Sequence, residues 1–124
     1  MKTQKQPVQP VASPTPSSRQ MTVQQALELA DQHRKAGRAA QSENVLRQLL
    51  SQKPDQPDAL HALAIIAHEH GKTAQAVQFI ERAIAVKPQT ALFQSNIAEM
   101  YRLIGQPLKA VEHGKIALGL RPSH

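Results

Sequence analysis

No cysteine occurs among the 124 residues, which excludes disulfide bridges, thiolate metal sites and cysteine nucleophiles. Tryptophan is also absent and aromatic residues make up 2% of the chain, so an aromatic cage or a stacking platform for bases has little to be built from. The longest uncharged apolar run, Ala62 to Ala67, falls far short of the roughly 18 to 20 residues that cross a bilayer. Met1 and Lys2 are followed by no apolar stretch of the kind that forms a secretory signal. These absences make the cytoplasm the expected compartment and argue against a membrane. No Gly-rich phosphate loop, Ser/His/Asp spacing or other cofactor motif is present, so no catalytic residue and no cofactor are assigned.

What the chain has is small and aliphatic side chains, nine prolines and a formal net charge of +6. The charge is unevenly placed. Residues 1–21 hold four of the prolines, no acidic residue, and Lys2, Lys5 and Arg19, which supply half of the net charge. Their few apolar residues follow no period, and such a segment buries too little surface to offset the entropy of ordering it. A disordered basic tail is therefore predicted over 1–21. With so much of the charge outside the folded part, a basic nucleic-acid surface is not expected on residues 22–124.

A helix start is legible at Thr22, where Gln25 three residues later completes the pattern of a capping box. Behind it Ala26, Leu27, Leu29 and Ala30 recur at helical spacing, and Gly37 should end that helix. A second helix is predicted over about 38–52, with Leu46 and Leu49 inward and Pro54 beyond its end.

The strongest signal is self-similarity at a period of 34. Gly37, Gly71 and Gly105 keep that spacing, as do Pro54, Pro88 and Pro122. So do Leu29, Leu63 and Ile97; Ala30, Ala64 and Ala98; and Ser42, Ala76 and Ala110. Each Gly permits the turn after a first helix, each Pro follows a second, and the small triplets mark close helix approaches. The expected fold is all-α, three helical hairpins sharing one elongated core, since a hairpin of this size buries little by itself. Leu46 with Leu49, Ile80 with Ala83, and Val111 with Ala117 are expected to line that core.

With this period and these residues, the chain resembles the tetratricopeptide repeat family. The middle copy fits best, through Leu60, Leu63, Ala64, Gly71, Ala76, Ile80, Ala83 and Pro88, and Tyr101 falls where the family prefers Tyr. The resemblance gives frames 23–56, 57–90 and 91–124 within a domain over 22–124. Ala26 and Gln94 depart from a preferred Trp or Leu, His33 and Ala67 from Tyr, and Gly114 from a large apolar residue, which should make the last helix the weakest.

The resemblance further implies a non-catalytic protein-interaction scaffold whose first helices line a concave groove for a partner peptide or helix. It places Asp31, Arg34 and Lys35, then His61, Ile65, His68 and Glu69, then Asn96, Glu99 and Arg102 on that face. The Lys and Asn clamp of chaperone-binding members is missing, because Leu27, Asp31, Ala62, Leu92 and Asn96 stand in its places. Asn96 matches the groove asparagines of O-GlcNAc transferases, though Glu28 and Ala62 break the ladder. A looser likeness to repeat segments of bacterial glycosyltransferases and sulfotransferases suggests, as an alternative, the substrate-recruiting lobe of a longer enzyme.

His68, Glu69 and His70 are neighbours pointing about 100° apart, and His61 lies two turns from His68, so no metal site is assigned. On the last helix Leu108, Val111, Ile116, Leu118 and Leu120 are expected to stay partly uncovered. Val111, Ile116, Leu118 and Leu120 are therefore candidates for a partner or homo-oligomer face.

Overall fold

A computed structural model describes residues 21–121. Six α-helices follow one another: α1 (Val23–Lys35), α2 (Ala39–Gln52), α3 (Pro57–Glu69), α4 (Thr73–Val86), α5 (Ala91–Leu103) and α6 (Pro107–Leu120). Each repeats the start and end of the equivalent helix 34 residues earlier, so the period read from the sequence is the period of the structure. Residues 1–20 of the predicted tail, and Pro122 of the proline triplet, lie outside the described residues.

The turns come from local chemistry. Gly37, Gly71 and Gly105 have φ of 82°, 79° and 82°, the left-handed region that a Cβ disfavours. At each, two backbone bonds close the first helix. Arg38 N donates to the His33 carbonyl (2.8 Å) and Gly37 N to the Arg34 carbonyl (3.1 Å). Lys72 to Ala67 with Gly71 to His68, and Gln106 to Tyr101 with Gly105 to Arg102, repeat the pattern. This is the paired closure of a Schellman turn, which satisfies carbonyls the helix leaves open. At the other end of α1 the capping box forms as expected: Gln25 N donates to Thr22 Oγ1, and Thr22 N donates to Gln25 Oε1, both at 3.0 Å. α3 instead starts with Pro57, and the Gln56 side chain accepts from Asp58 N and Ala59 N.

Two apolar clusters run along the stack. Ala26, Ala30, Leu46 and Leu49 of the first hairpin enclose Ala59, Leu63 and Ile66 of α3. Leu60, Ala64, Ala76, Val77, Ile80 and Ala83 of the second enclose Phe93, Ile97, Met100 and Tyr101 of α5. In both, the incoming first helix contributes residues at i, i+4 and i+7, one face of a helix. Leu50 and Phe79 touch both clusters and join them.

Among the described residues two polar side chains, Ser42 and Gln94, are buried, and both are bonded. Ser42 Oγ donates to the Ala30 carbonyl at 2.7 Å, tying α2 to α1. Gln94, in place of a large residue, donates to the Pro88 carbonyl (3.0 Å) and pairs through Oε1 with His113 Nδ1 (2.7 Å). These bonds offset the desolvation of its amide.

One core expectation is overturned. Val111 is 55% exposed, whereas its repeat equivalent Val77 is 6% exposed. The difference lies in the cover: α5 lies over Val77, and no described element lies over Val111. Ala117 is the sole buried residue of α6 among the described residues.

Two glycine substitutions should act with opposite sign. An added Cβ would meet nothing within 4 Å at Gly71 or at Gly114, so backbone conformation alone decides. Gly71→Ala should destabilise by about 1–2 kcal/mol, the cost of a left-handed L-residue. Gly114→Ala, inside α6, should stabilise by about 0.5–1 kcal/mol. Urea unfolding followed by circular dichroism measures both.

Candidate functional site

The first helices α1, α3 and α5 stand side by side along one face, and the 34-residue offset lines up their outward residues. Gln24, Asp58 and Leu92 form one row; Glu28, Ala62 and Asn96 another; Asp31, Ile65 and Glu99 a third; Lys35, Glu69 and Leu103 a fourth. Within α5, Leu92, Asn96, Glu99 and Leu103 follow i, i+4, i+7 and i+11, a single stripe.

Side-chain bonds connect neighbouring repeats across this face. Arg34 of α1 donates to Glu69 of α3 at 2.6 Å and also holds Asp31 at 3.1 Å. Lys35 holds the other oxygen of Asp31 at 3.0 Å. One repeat further on, the Asn96 amide of α5 donates to Nε2 of His61 on α3 at 2.8 Å. Both cross-links join residues 35 apart, one more than the period. His61 also lies against the Phe93 ring, with centroids 4.9 Å apart. Arg102 pairs within its own helix with Glu99.

Titration follows from these contacts. Hydrogen bonds from Lys35 and then Arg34 hold the Asp31 carboxyl below its usual value. Glu99 is likewise held down by Arg102. Burial holds His61 below the usual 6.5, outweighing nearby Asp58, which matches a ring whose Nε2 accepts a hydrogen bond. Under the groove, the Tyr101 phenol is pushed up to about 12, first by burial and then by the Glu81 carboxylate to which it donates. That bond ties α5 to α4.

The structure brings Asp31, Arg34, Lys35, His61, Ile65, His68, Glu69, Asn96, Glu99 and Arg102 onto the one face. It gives most of them internal partners: His68 Nδ1, for example, bonds Thr73 Oγ1 at 3.1 Å. The ionic groups among these ten pair with one another, while Glu28 and Asp58 of the same rows make no ion pair among the described residues. Its open apolar positions are Ile65, half-buried, and Leu92 and Leu103, exposed. Leu92 and Leu103 were not assigned to the groove from the sequence. The signal was available, since Leu103 lies 34 residues beyond Glu69 and Leu92 stands in one of the clamp places.

All five described histidines hold a hydrogen-bond partner: His33 with Arg38, His61 with Asn96, His68 with Thr73, His70 with the Ile66 carbonyl and His113 with Gln94. No group of three or more metal-ligating side chains occurs among the described residues. No helix among them is long and apolar enough to cross a membrane.

The four residues expected to form a partner face on α6 divide. Val111 and Leu118 share a trough with Ala98, Ala110, Gly114 and Ala117. Ile116 and Leu120 do not line it. Ile116 is the equivalent of Arg82, which reaches back to the Pro54 carbonyl of the preceding repeat at 3.3 Å, and Leu120 is half-buried.

A family model for the tetratricopeptide repeat matches residues 33–99. Over 68 residues the chain is 38% identical to cellulose synthase operon protein C of Xanthomonas axonopodis pv. citri (strain 306), which is 55% of this chain and 4% of that protein. The Thermobaculum terrenum O-GlcNAc transferase structure superposes with a TM-score of 0.76 at 26% identity, covering 90% of this chain and 21% of that one. The crystal structure of MamA gives 0.74 at 19% identity, covering 81% and 58%. The chain thus spans a small part of the first two and less than two thirds of the third.

A histidine whose folded value lies below its unfolded 6.5 stabilises the fold fully above that pH, and this contribution is lost as pH falls through the folded value. Stability should therefore decline as pH falls below 6.5, and His61→Gln should flatten that decline. Urea titrations at a series of pH values measure it. An NMR titration of His61 should give a midpoint below 6.5.

Proposed function

The chain belongs to the tetratricopeptide repeat family, a family of protein-interaction scaffolds, and from that premise we propose that the face of α1, α3 and α5 receives an extended or helical segment of a protein partner. The observation that carries this reading is the four-row stripe, continuous across all three first helices, in which apolar Ile65, Leu92 and Leu103 alternate with bonded polar groups. A peptide laid along it gains apolar burial at those three and hydrogen bonds at their neighbours. Because Arg34 is already held by Asp31 and Glu69, and Asn96 by His61, the polar pairs act as a preformed surface. Little side-chain order has to be gained on binding. Repeats of this family are generally non-catalytic, and the chain is read as a binding module.

A second reading has one observation in its favour, the 26% identity to the O-GlcNAc transferase structure over 90% of this chain. On it, the same face recruits substrate for a glycosyltransferase or sulfotransferase domain of a longer protein. A reading frame that continues past His124 into such a domain would establish it, and a stop codon there would end it.

Ile65→Glu places a charge at the centre of the stripe without removing a described hydrogen bond. It should weaken capture of a partner by roughly tenfold or more with helicity unchanged. Leu118→Glu, away from the stripe, should leave capture intact. Equal capture by wild type and Ile65→Glu, measured by pull-down with quantitative mass spectrometry, would sink the groove assignment.

A further inference from the structure

The trough on the trailing side of α5 and α6 has two filled counterparts earlier in the same chain. The trough of the second hairpin, made by Ala64, Ala76, Val77, Ile80 and Ala83, holds the α5 ridge of Phe93, Ile97, Met100 and Tyr101. The first hairpin holds the α3 ridge of Ala59, Leu63 and Ile66. At the same register the third hairpin presents Ala98, Ala110, Val111, Gly114 and Ala117, with Leu118 in the place of Ile84. Leu118 is 66% exposed. The geometry of the filled troughs therefore gives the shape of what fits the open one: a helix with large apolar residues at i, i+4 and i+7.

Two substitutions make the open trough differ from the filled ones. Gly114 replaces Ile80 and leaves the floor deeper, with nothing within 4 Å of where its Cβ would stand. Lys115 replaces Glu81, the residue that accepts from Tyr101 of the incoming helix. The occupant's residue at the Tyr101 position, four beyond the middle of its ridge, would thus meet an ammonium group. Arg47 is the equivalent cation in the first hairpin, and it is paired with Glu43 one turn back at 3.3 Å. One turn before Lys115 stands Val111 instead, and Lys115 makes no ion pair among the described residues. Arg121 adds a second cation to the rim, while Glu99 and Arg102, which also line the trough, pair with each other.

A second copy of the chain does not match this description. Stacked head to tail, it would bring Gln25, Leu29 and Gln32 of α1 to the ridge positions and His33 opposite Lys115. Two amides would then be buried against apolar side chains without the acid, at a cost in desolvation. Joined trough to trough, two copies would put two Lys115 and two Arg121 into one interface. The N-terminal segment 1–20 has no acidic residue, so it does not supply the charge.

We infer that this trough is a docking site for an amphipathic helix of a different protein, with bulky apolar residues at i, i+4 and i+7 and an acidic residue at i+8 that pairs with Lys115. Apolar burial against Val111, Leu118 and the floor at Gly114 supplies the attraction. The carboxylate at Lys115 sets register and selects against helices with a neutral or basic residue there. The trough shares only the Glu99–Arg102 pair with the stripe on the first helices, and its apolar floor on α6 is distinct from it.

The probe is a hydrocarbon-stapled peptide of residues 90–104, the chain's own incoming helix, carrying Tyr101→Glu; its control carries Tyr101→Lys. Binding to the full chain is read by fluorescence anisotropy. The acidic probe should bind at least about fivefold more tightly than the basic one, the scale of one good ion pair. On a Lys115→Glu chain the order should reverse. Leu118→Glu, at an exposed position, should remove binding of both with helicity retained, while Ile65→Glu should leave it unchanged. Equal affinity of the two probes, no binding by either, or binding that survives Leu118→Glu would overturn the proposal. Sedimentation showing a self-associating wild type beside a monomeric Leu118→Glu variant would also overturn it, assigning the trough to a second copy.

Discussion

A pair of antiparallel helices covers only part of its apolar surface, and the remainder forms a trough that a third helix can fill. In this chain the filling helix is always the first helix of the next hairpin. Leu63 and Ile97 occupy the same place in successive troughs, and both are buried. The period of 34, the small residues at 30, 64, 42 and 76, and the left-handed glycines all serve that seating. The small residues let the incoming backbone approach. The glycines turn the chain so that the second helix lies antiparallel to the first.

The same seating produces the face proposed to bind a partner. Because α3 and α5 enter their troughs with the same ridge and α1 keeps the same 34-residue register, the opposite sides of the three helices align, and three short stripes become one long surface. Arg34 to Glu69 and His61 to Asn96 then cross between stripes. These bonds are partly exposed and modest in energy. Their consequence is geometric: they hold side chains that a binding segment would meet already in place, and they leave the apolar positions Ile65, Leu92 and Leu103 as the open ones. Surface chemistry at the groove is a consequence of core packing beneath it.

Much of the fold was legible from residues that act locally. Gly37, Gly71 and Gly105 turn the chain wherever they occur, Thr22 and Gln25 cap α1 with four consecutive residues, and the ridges repeat at helical spacing. The face proposed as the groove was named through the family resemblance without Leu92 and Leu103, because an exposed leucine on an isolated helix looks like one awaiting cover until the neighbouring repeats are aligned with it. Val111 was expected both in the core and on an open face, because its sequence context matches that of buried Val77 and only the missing neighbour separates them.

The amino-acid order alone settled the period, the turns, the helix ends and the all-α class, since each rests on backbone preferences and contacts within a few residues. Tertiary structure decided which polar side chains meet and which apolar ones stay open. Partners such as His61 and Asn96 are 35 residues apart rather than the repeat's own 34. That extra residue arises from how one hairpin is set against the next in space, and no single repeat contains it.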